Sequence, residues 1–346
     1  MSWIGIKQRN PQRKFVAMKL RTAMDDLLNQ DIKGLDRIDK IYHKVDGCMS
    51  YVNMQKCIQC GMLHFNKSNY CESKLCPICA YLRARKYLSV LVPRFRNMLE
   101  RGYKINFLTL TIKDTAVLKY GLDIVKKAWR YMTNRDPFSK YIFKNMFIGG
   151  IYAIEIKKGK NSKLWHPHVH LLVVKDHFSK DFDVIKGLWE MACQKVANTT
   201  EKISSVDIRG VHDKNGKLTK NINSEDTITS AVVECVKYVT KFSFDDYSSM
   251  DLLELCNCLY NNRLFSTFGC MRNSEDEDLD EDYKDVVEEL VCTKCGSRDF
   301  EDEVTSIDKA MNMNVVDFGK RHYVSKKEQI AGLTAIMEVM LRREYE

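Results

Sequence analysis

Between Lys104 and Phe242 the apolar residues switch repeatedly between a period of two and a period near 3.6, which constrains the fold more than composition does. "KINFLTLTI" (104–112) alternates apolar residues with threonines, the pattern of a half-buried strand. "GLDIVKKAWRYMTN" (121–134) has helical spacing, and "GGIYAIEIKK" (149–158) is strand-like again. The polar "GKNSK" that follows makes a hairpin turn into "LWHPHVHLLVV" (164–174). A helix over 181–197, a strand over 203–211 and a last helix over 226–242 complete the series.

The order β-α-β-β-α-β plus one helix predicts an α+β fold with a ferredoxin/RRM-like split βαβ core and an antiparallel central sheet. Four regions are expected: a basic helical segment at 1–50, a cysteine-bearing knuckle and basic helix at 51–100, the core at 101–250, and a helical and acidic C-terminal region at 251–346. No run of eighteen apolar residues is present, and "MSWIGIKQRNPQRKF" lacks the apolar stretch of a signal peptide. A cytoplasmic protein with no membrane partner is therefore expected. In that reducing setting the thirteen cysteines point to metal rather than disulfides.

The net charge of +9 conceals an asymmetry. Residues 275–289, "EDEDLDEDYKDVVEE", hold ten acidic residues and one lysine, so the rest of the chain carries +18. Such a body suits a polyphosphate backbone.

Three of the eight histidines fall within "HPHVH". Side chains on a strand alternate, so His166, His168 and His170 share one face. With the hairpin turn near 159–162, Glu155 on the preceding strand lies opposite the 166–168 end. Two imidazoles and one carboxylate with open positions suit a catalytic Mn2+ or Mg2+ ion. His166, which precedes Pro167 and lies nearest the turn, is the spare ligand. A second signal is the pair Cys57-x-x-Cys60 and Cys76-x-x-Cys79, fifteen residues apart, the spacing of a four-cysteine structural Zn2+ site. Cys71 and His64 are substitute ligands. Behind it lie Arg83, Arg85, Lys86, Arg94 and Arg96, a candidate DNA-phosphate surface or simply a solvated helix face. Cys292 and Cys295 begin a candidate second zinc ribbon, with Cys256, Cys258, Cys270 or His322 as available partners. Cys193 and Cys235 occupy apolar helical positions and read as core.

The last helix places Glu234, Tyr238 and Lys241 at i, i+4 and i+7, on one face. A tyrosine phenolate can attack a phosphodiester, a lysine can stabilise it, and a glutamate can activate water against the same phosphorus.

These residues together resemble the rolling-circle replication initiators of the HUH superfamily, specifically the plasmid Rep_1 type with a single tyrosine. "HPHVH" is similar to their histidine–hydrophobe–histidine motif, "FLTLTIKD" to their first motif and "KYVTK" to their Tyr-x-x-Lys motif. "CPICAYLRARK" and "VDIR" (206–209) resemble two further family segments, so the likeness spans roughly residues 57–272. It implies an HUH endonuclease core in which His168 and His170 hold the metal. Tyr238 would nick single-stranded or hairpin origin DNA, forming a 5′-phosphotyrosine link and a free 3′-hydroxyl primer. Glu234 would direct water at termination, because Phe242 stands where two-tyrosine relatives carry the second one. A host helicase and polymerase are the further partners implied. Two other readings stay open: a transposase or relaxase with the same chemistry, and a non-catalytic zinc-knuckle nucleic-acid-binding protein.

Overall fold

A computed structural model describes residues 3–30, 32–175, 182–209, 225–237, 242, 244–260, 262–272 and 290–318. The chain begins with helices α1 (Trp3–Leu27) and α2 (Leu35–Asp46), strands β1 (Tyr51–Cys57) and β2 (Leu63–Ser68), and helix α3 (Pro77–Glu100). Next come β3 (Lys104–Ile112), α4 (Leu118–Arg130), α5 (Pro137–Met146), β4 (Gly149–Glu155) and β5 (His168–Lys175). Helix α6 (Phe182–Ala197), β6 (Ser204–Arg209), α7 (Glu225–Lys237) and α8 (Ser249–Leu259) follow. The described chain ends with β7 (Phe265–Gly269), β8 (Phe300–Ser306), α9 (Ile307–Met311) and β9 (Val315–Asp317).

The chain divides into two compact units rather than four successive regions. One unit contains Met1–Arg85, Ser248–Leu253 and Glu281–Glu346; the other contains Lys86–Tyr247 and Glu254–Asp280. The expected C-terminal region is thus shared out. The physical reason is strand pairing: β8 is antiparallel to β1 along its whole length, with Tyr51 opposite Ser306 and Cys57 opposite Phe300. Its sheet has the order β8-β1-β2-β9, and β9 adds to β2 in parallel. Trp3 stacks on Phe65 at 5.2 Å, and buried Arg9 lies 4.0 Å over the Tyr81 ring. Arg13 donates to the carbonyls of Val45 and Asp46 at the end of α2. The acidic run and the C-terminal helical pattern at 325–346 lie outside the described residues.

The second unit holds a five-stranded antiparallel sheet in the order β6-β3-β5-β4-β7. Segments read as strands and helices from their periodicity form β3, α4, β4, β5, α6, β6 and α7, while α5 and the edge strand β7 are additions. β5 is central and every one of its eight residues is buried, which explains its unbroken apolar run. β4 enters through Gly149 and Gly150; a side chain at Gly150 would run into the Leu172 carbonyl and the Phe268 ring. Among the described residues, no helix is long and apolar enough to cross a membrane.

Candidate metal site

The register of the central sheet builds the site. Glu155 on β4, His168 on β5, Thr111 on β3 and Ser205 on β6 form one cross-strand row. Two residues along, Ala153, His170, Thr109 and Asp207 form the next. Directly paired residues present their side chains to the same face, so both rows converge on one surface.

On that surface the Glu155 carboxylate lies 2.5 Å from His168 Nε2 and 3.2 Å from His170 Nε2. The ligand atoms of the three residues all lie within 4.8 Å of one another. Each imidazole is oriented through its other nitrogen. His168 Nδ1 lies 3.1 Å from the His166 carbonyl, and His170 Nδ1 lies 3.1 Å from Thr109 Oγ1. Because these oxygens engage Nδ1, both Nε2 atoms are left facing Glu155, the nitrogens a divalent ion would take. Burial pushes His170 down to about 4, against the opposing bond to Glu155. Burial also opposes ionisation of Glu155, but hydrogen bonds from His168 and His170 outweigh it and hold the carboxyl below its ordinary range. The resting state is therefore one anion and a neutral His170, a donor set that fits a hard or borderline divalent cation. Lys157 Nζ lies 3.4 Å from Glu155 and brings a positive charge to the site.

His166 stands apart from this trio. Its Nδ1 lies 2.5 Å from Asp114 Oδ1, and Ser162 donates to the other Asp114 oxygen. Proximity to the turn, which marked His166 as the spare ligand, is also what lets the post-β3 segment reach it. Pro167 packs against the backbone of α4: a side chain at Gly121 would meet Pro167 Cγ at 2.9 Å. Trp165, fully buried, donates to Glu254, whose other oxygen accepts from the Leu118 amide at the start of α4. Thr109 and Asp114 went unassigned in the sequence, although both lie within "FLTLTIKD"; alternation with the apolar residues was the available signal for Thr109, and no pattern marks Asp114.

Helix α7 packs on β4 and β5, and its Cys235 thiol lies 3.8 Å from the His170 carbonyl. Glu234, beside Cys235, is partly exposed and paired with Lys237. Tyr238 and Lys241 lie outside the described residues. On α3, Arg83 donates to the Glu72 carbonyl at 2.9 Å and Arg85 lies 5.8 Å from the Tyr81 ring. Arg83, Arg85 and Lys86 are all half-buried, so the helix face there is not freely solvated.

The cysteines fall into two groups that differ from the expected Cys57–Cys60–Cys76–Cys79 set. Cys76 and Cys79 gather with Cys48 and Cys71; Cys57 and Cys60 gather with Cys292 and Cys295. Cys48 precedes β1 and Cys57 ends it, and a seven-residue strand spans roughly 20 Å. One ion cannot reach both ends. Cys256 and Cys258 are buried in α8 and Cys270 is exposed, while His322 lies outside the described residues. Cys193 and Cys235 are buried.

Comparison with known proteins adds a family. Residues 62–318 match the family described as "Replication protein" (Rep_1), a stretch that runs past the sequence motifs through Cys292 and Cys295. A protein named "Protein rep" from a Bacillus species is 28% identical over 208 residues, covering 57% of this chain and 65% of that relative. A "Protein rep" from Streptococcus pneumoniae serotype 2 is 26% identical over 224 residues, covering 61% and 64%. A third, from Staphylococcus aureus, is 25% identical over 161 residues, covering 44% and 66%. This chain spans less than two thirds of the length of each of the three. No solved structure matches it.

Proposed function

This chain belongs to the replication protein family, and on that premise we propose that it initiates rolling-circle replication by nicking origin DNA through Tyr238. The observation that carries this reading is the convergence of Glu155, His168 and His170 on one face of the five-stranded antiparallel sheet. These three residues would hold a Mn2+ or Mg2+ ion, which supplies Lewis-acid polarisation of a DNA phosphate.

The protein's own groups divide the remaining work. Thr109 and the His166 carbonyl fix the two imidazoles so that no reorganisation is needed when the phosphate arrives. The Tyr238 phenol oxygen attacks phosphorus, the DNA 3′-oxygen leaves and takes up a proton, and the phosphate stays linked to the tyrosine through its 5′ side. Because a free phenol ionises near pKa ~10, Lys241, three residues after Tyr238 in the sequence, is assigned to stabilise the phenolate. Glu234, four residues before Tyr238 in the sequence, directs a water at the phosphotyrosine when the cycle ends. Phe242 in place of a second tyrosine favours this hydrolytic ending over a second transesterification. Arg83, Arg85 and Lys86 of α3 would meet the phosphate backbone of the origin, single-stranded or as a hairpin.

Incubating the protein with single-stranded DNA of its own replicon and Mn2+ or Mg2+ tests the reading. The expected product is a site-specific nick with a free 3′-hydroxyl and a 5′ end bound to protein. Cleavage that leaves both ends free of protein throughout the time course would defeat it.

A further inference from the structure

The two cysteine groups are built too regularly to be incidental free thiols. "CIQCGM" (57–62) and "CTKCGS" (292–297) have one design. In the first, the Cys57 amide donates to the Met62 carbonyl at 2.9 Å and the Gly61 amide to the Cys57 carbonyl at 2.8 Å. In the second, the Cys292 amide donates to the Ser297 carbonyl at 2.8 Å and the Gly296 amide to the Cys292 carbonyl at 2.9 Å. Gly61 and Gly296 both take positive φ, 70° and 75°, which the tight turn demands and which glycine adopts without strain. Two matching knuckles thus face each other from segments more than 230 residues apart, with Cys57 Sγ 3.5 Å from Cys295 and Cys60 Sγ 3.5 Å from Cys292.

Sulfur spacing selects the ligand. Four thiolates on a tetrahedral ion with Zn–S bonds of about 2.3 Å stand about 3.8 Å apart. Two separations in this group are 3.5 Å, three among Cys48, Cys71, Cys76 and Cys79 are 3.6–3.7 Å, and the four sulfurs of each group all lie within 4.8 Å of one another. A disulfide would require about 2.05 Å. A multi-iron cluster, whose cysteines attach to separate irons, spreads them farther than either. His64 is buried with Nε2 3.4 Å from Cys292 Sγ, placed to donate to that thiolate rather than to replace it. Cys76 and Cys79 open the long helix α3, whose N-terminal amides favour thiolate charge.

We propose that the chain carries two separate tetrathiolate Zn2+ centres, Cys48–Cys71–Cys76–Cys79 and Cys57–Cys60–Cys292–Cys295. The second is a staple: it locks the C-terminal segment 290–318 beside the β1–β2 hairpin, where β8 extends the sheet. The match to the replication protein family spans both C-terminal ligands, but the zinc assignment rests on the sulfur geometry and stands or falls separately from the nicking chemistry.

Zinc analysis of the full-length protein, after exhaustive dialysis against metal-free buffer to remove weakly held ions, gives the first test. Two zinc ions per chain are expected; one or none, or an iron-dependent visible absorption band, would overturn the proposal. Single substitutions separate the sites: Cys295→Ser, at an exposed position, and Cys71→Ser should each retain one zinc. If Cys295→Ser keeps two, the staple is wrong. The unmodified protein provides a readout independent of folding defects. Iodoacetamide should alkylate exposed Cys270 rapidly but leave exposed Cys295 protected until a strong zinc chelator is added. Equal labelling of Cys270 and Cys295 before chelation would overturn the staple.

Discussion

Glu155 and His168 face each other across β4 and β5, Oε2 to Nε2 at 2.5 Å, with the partner strand's register placing them opposite. In the proposed metal site, Glu155 is the anion beside a pair of buried imidazoles. Replacing Glu155 by Ala should lower metal-dependent nicking by about 100-fold or more, since changes even outside the ligand shell cost 10–100-fold. Initial rates across a Mn2+ titration measure it; an unchanged rate at low Mn2+ would remove Glu155 from the ligand set.

Thr109→Val keeps the β-branched shape of a strand residue while deleting the oxygen 3.1 Å from His170 Nδ1. Metal affinity should fall about 10- to 100-fold with the fold intact, measured by calorimetric titration of Mn2+. Affinity equal to the parent would mean that His170 is oriented by other contacts.

His166 is turned to Asp114 and lies outside the Glu155–His168–His170 trio. His166→Ala should therefore retain Mn2+ binding within a few-fold, whereas His168→Ala should abolish it. Equal losses in the two variants would restore His166 as a ligand.

His170 implies a pH dependence for the metal-free protein. Its folded value of about 4 lies below the ordinary 6.5, so the unfolded chain binds more protons between them. Stability should fall as pH drops from 6.5 towards 4, by roughly 3 kcal/mol from this group alone. The Glu155 carboxyl, held low by its bonds to the histidines, adds stability above its ordinary value that is lost at still lower pH. Urea unfolding at several pH values measures the window, and His170→Gln should flatten it.

Local signals in the chain carried the central sheet, and distant ones did not. Glu155 and His168 are joined by a short hairpin, so alternation and turn position alone put them face to face. Thr109, Thr111, Asp207 and Ser205 follow from the same period of two once strand order is known. The cysteine partition depended on β1 finding β8 across more than 240 residues, a pairing that no spacing rule encodes. Fifteen residues between two C-x-x-C pairs suggested one site because spacing ignores that a whole strand separates them. Cys48, a lone cysteine before β1, had no motif to mark it. Burial of Cys235 under β5 accorded with its apolar helical position.

Glu234 and Tyr238 are assigned different steps, so their variants should fail differently. Glu234→Ala should nick at close to the parental rate but accumulate protein-linked DNA, because water is no longer directed at the phosphotyrosine. Normal strand closure and release by this variant would contradict that role. A gel time course separates the two phases.

The most direct test of the account is the covalent adduct itself, formed on origin single-stranded DNA with Mn2+ and analysed by mass spectrometry after protease digestion. The account predicts a 5′-phosphate on the peptide containing Tyr238 in the parent protein and no adduct in Tyr238→Phe. An adduct that persists in Tyr238→Phe, or maps to another residue in the parent, would contradict it.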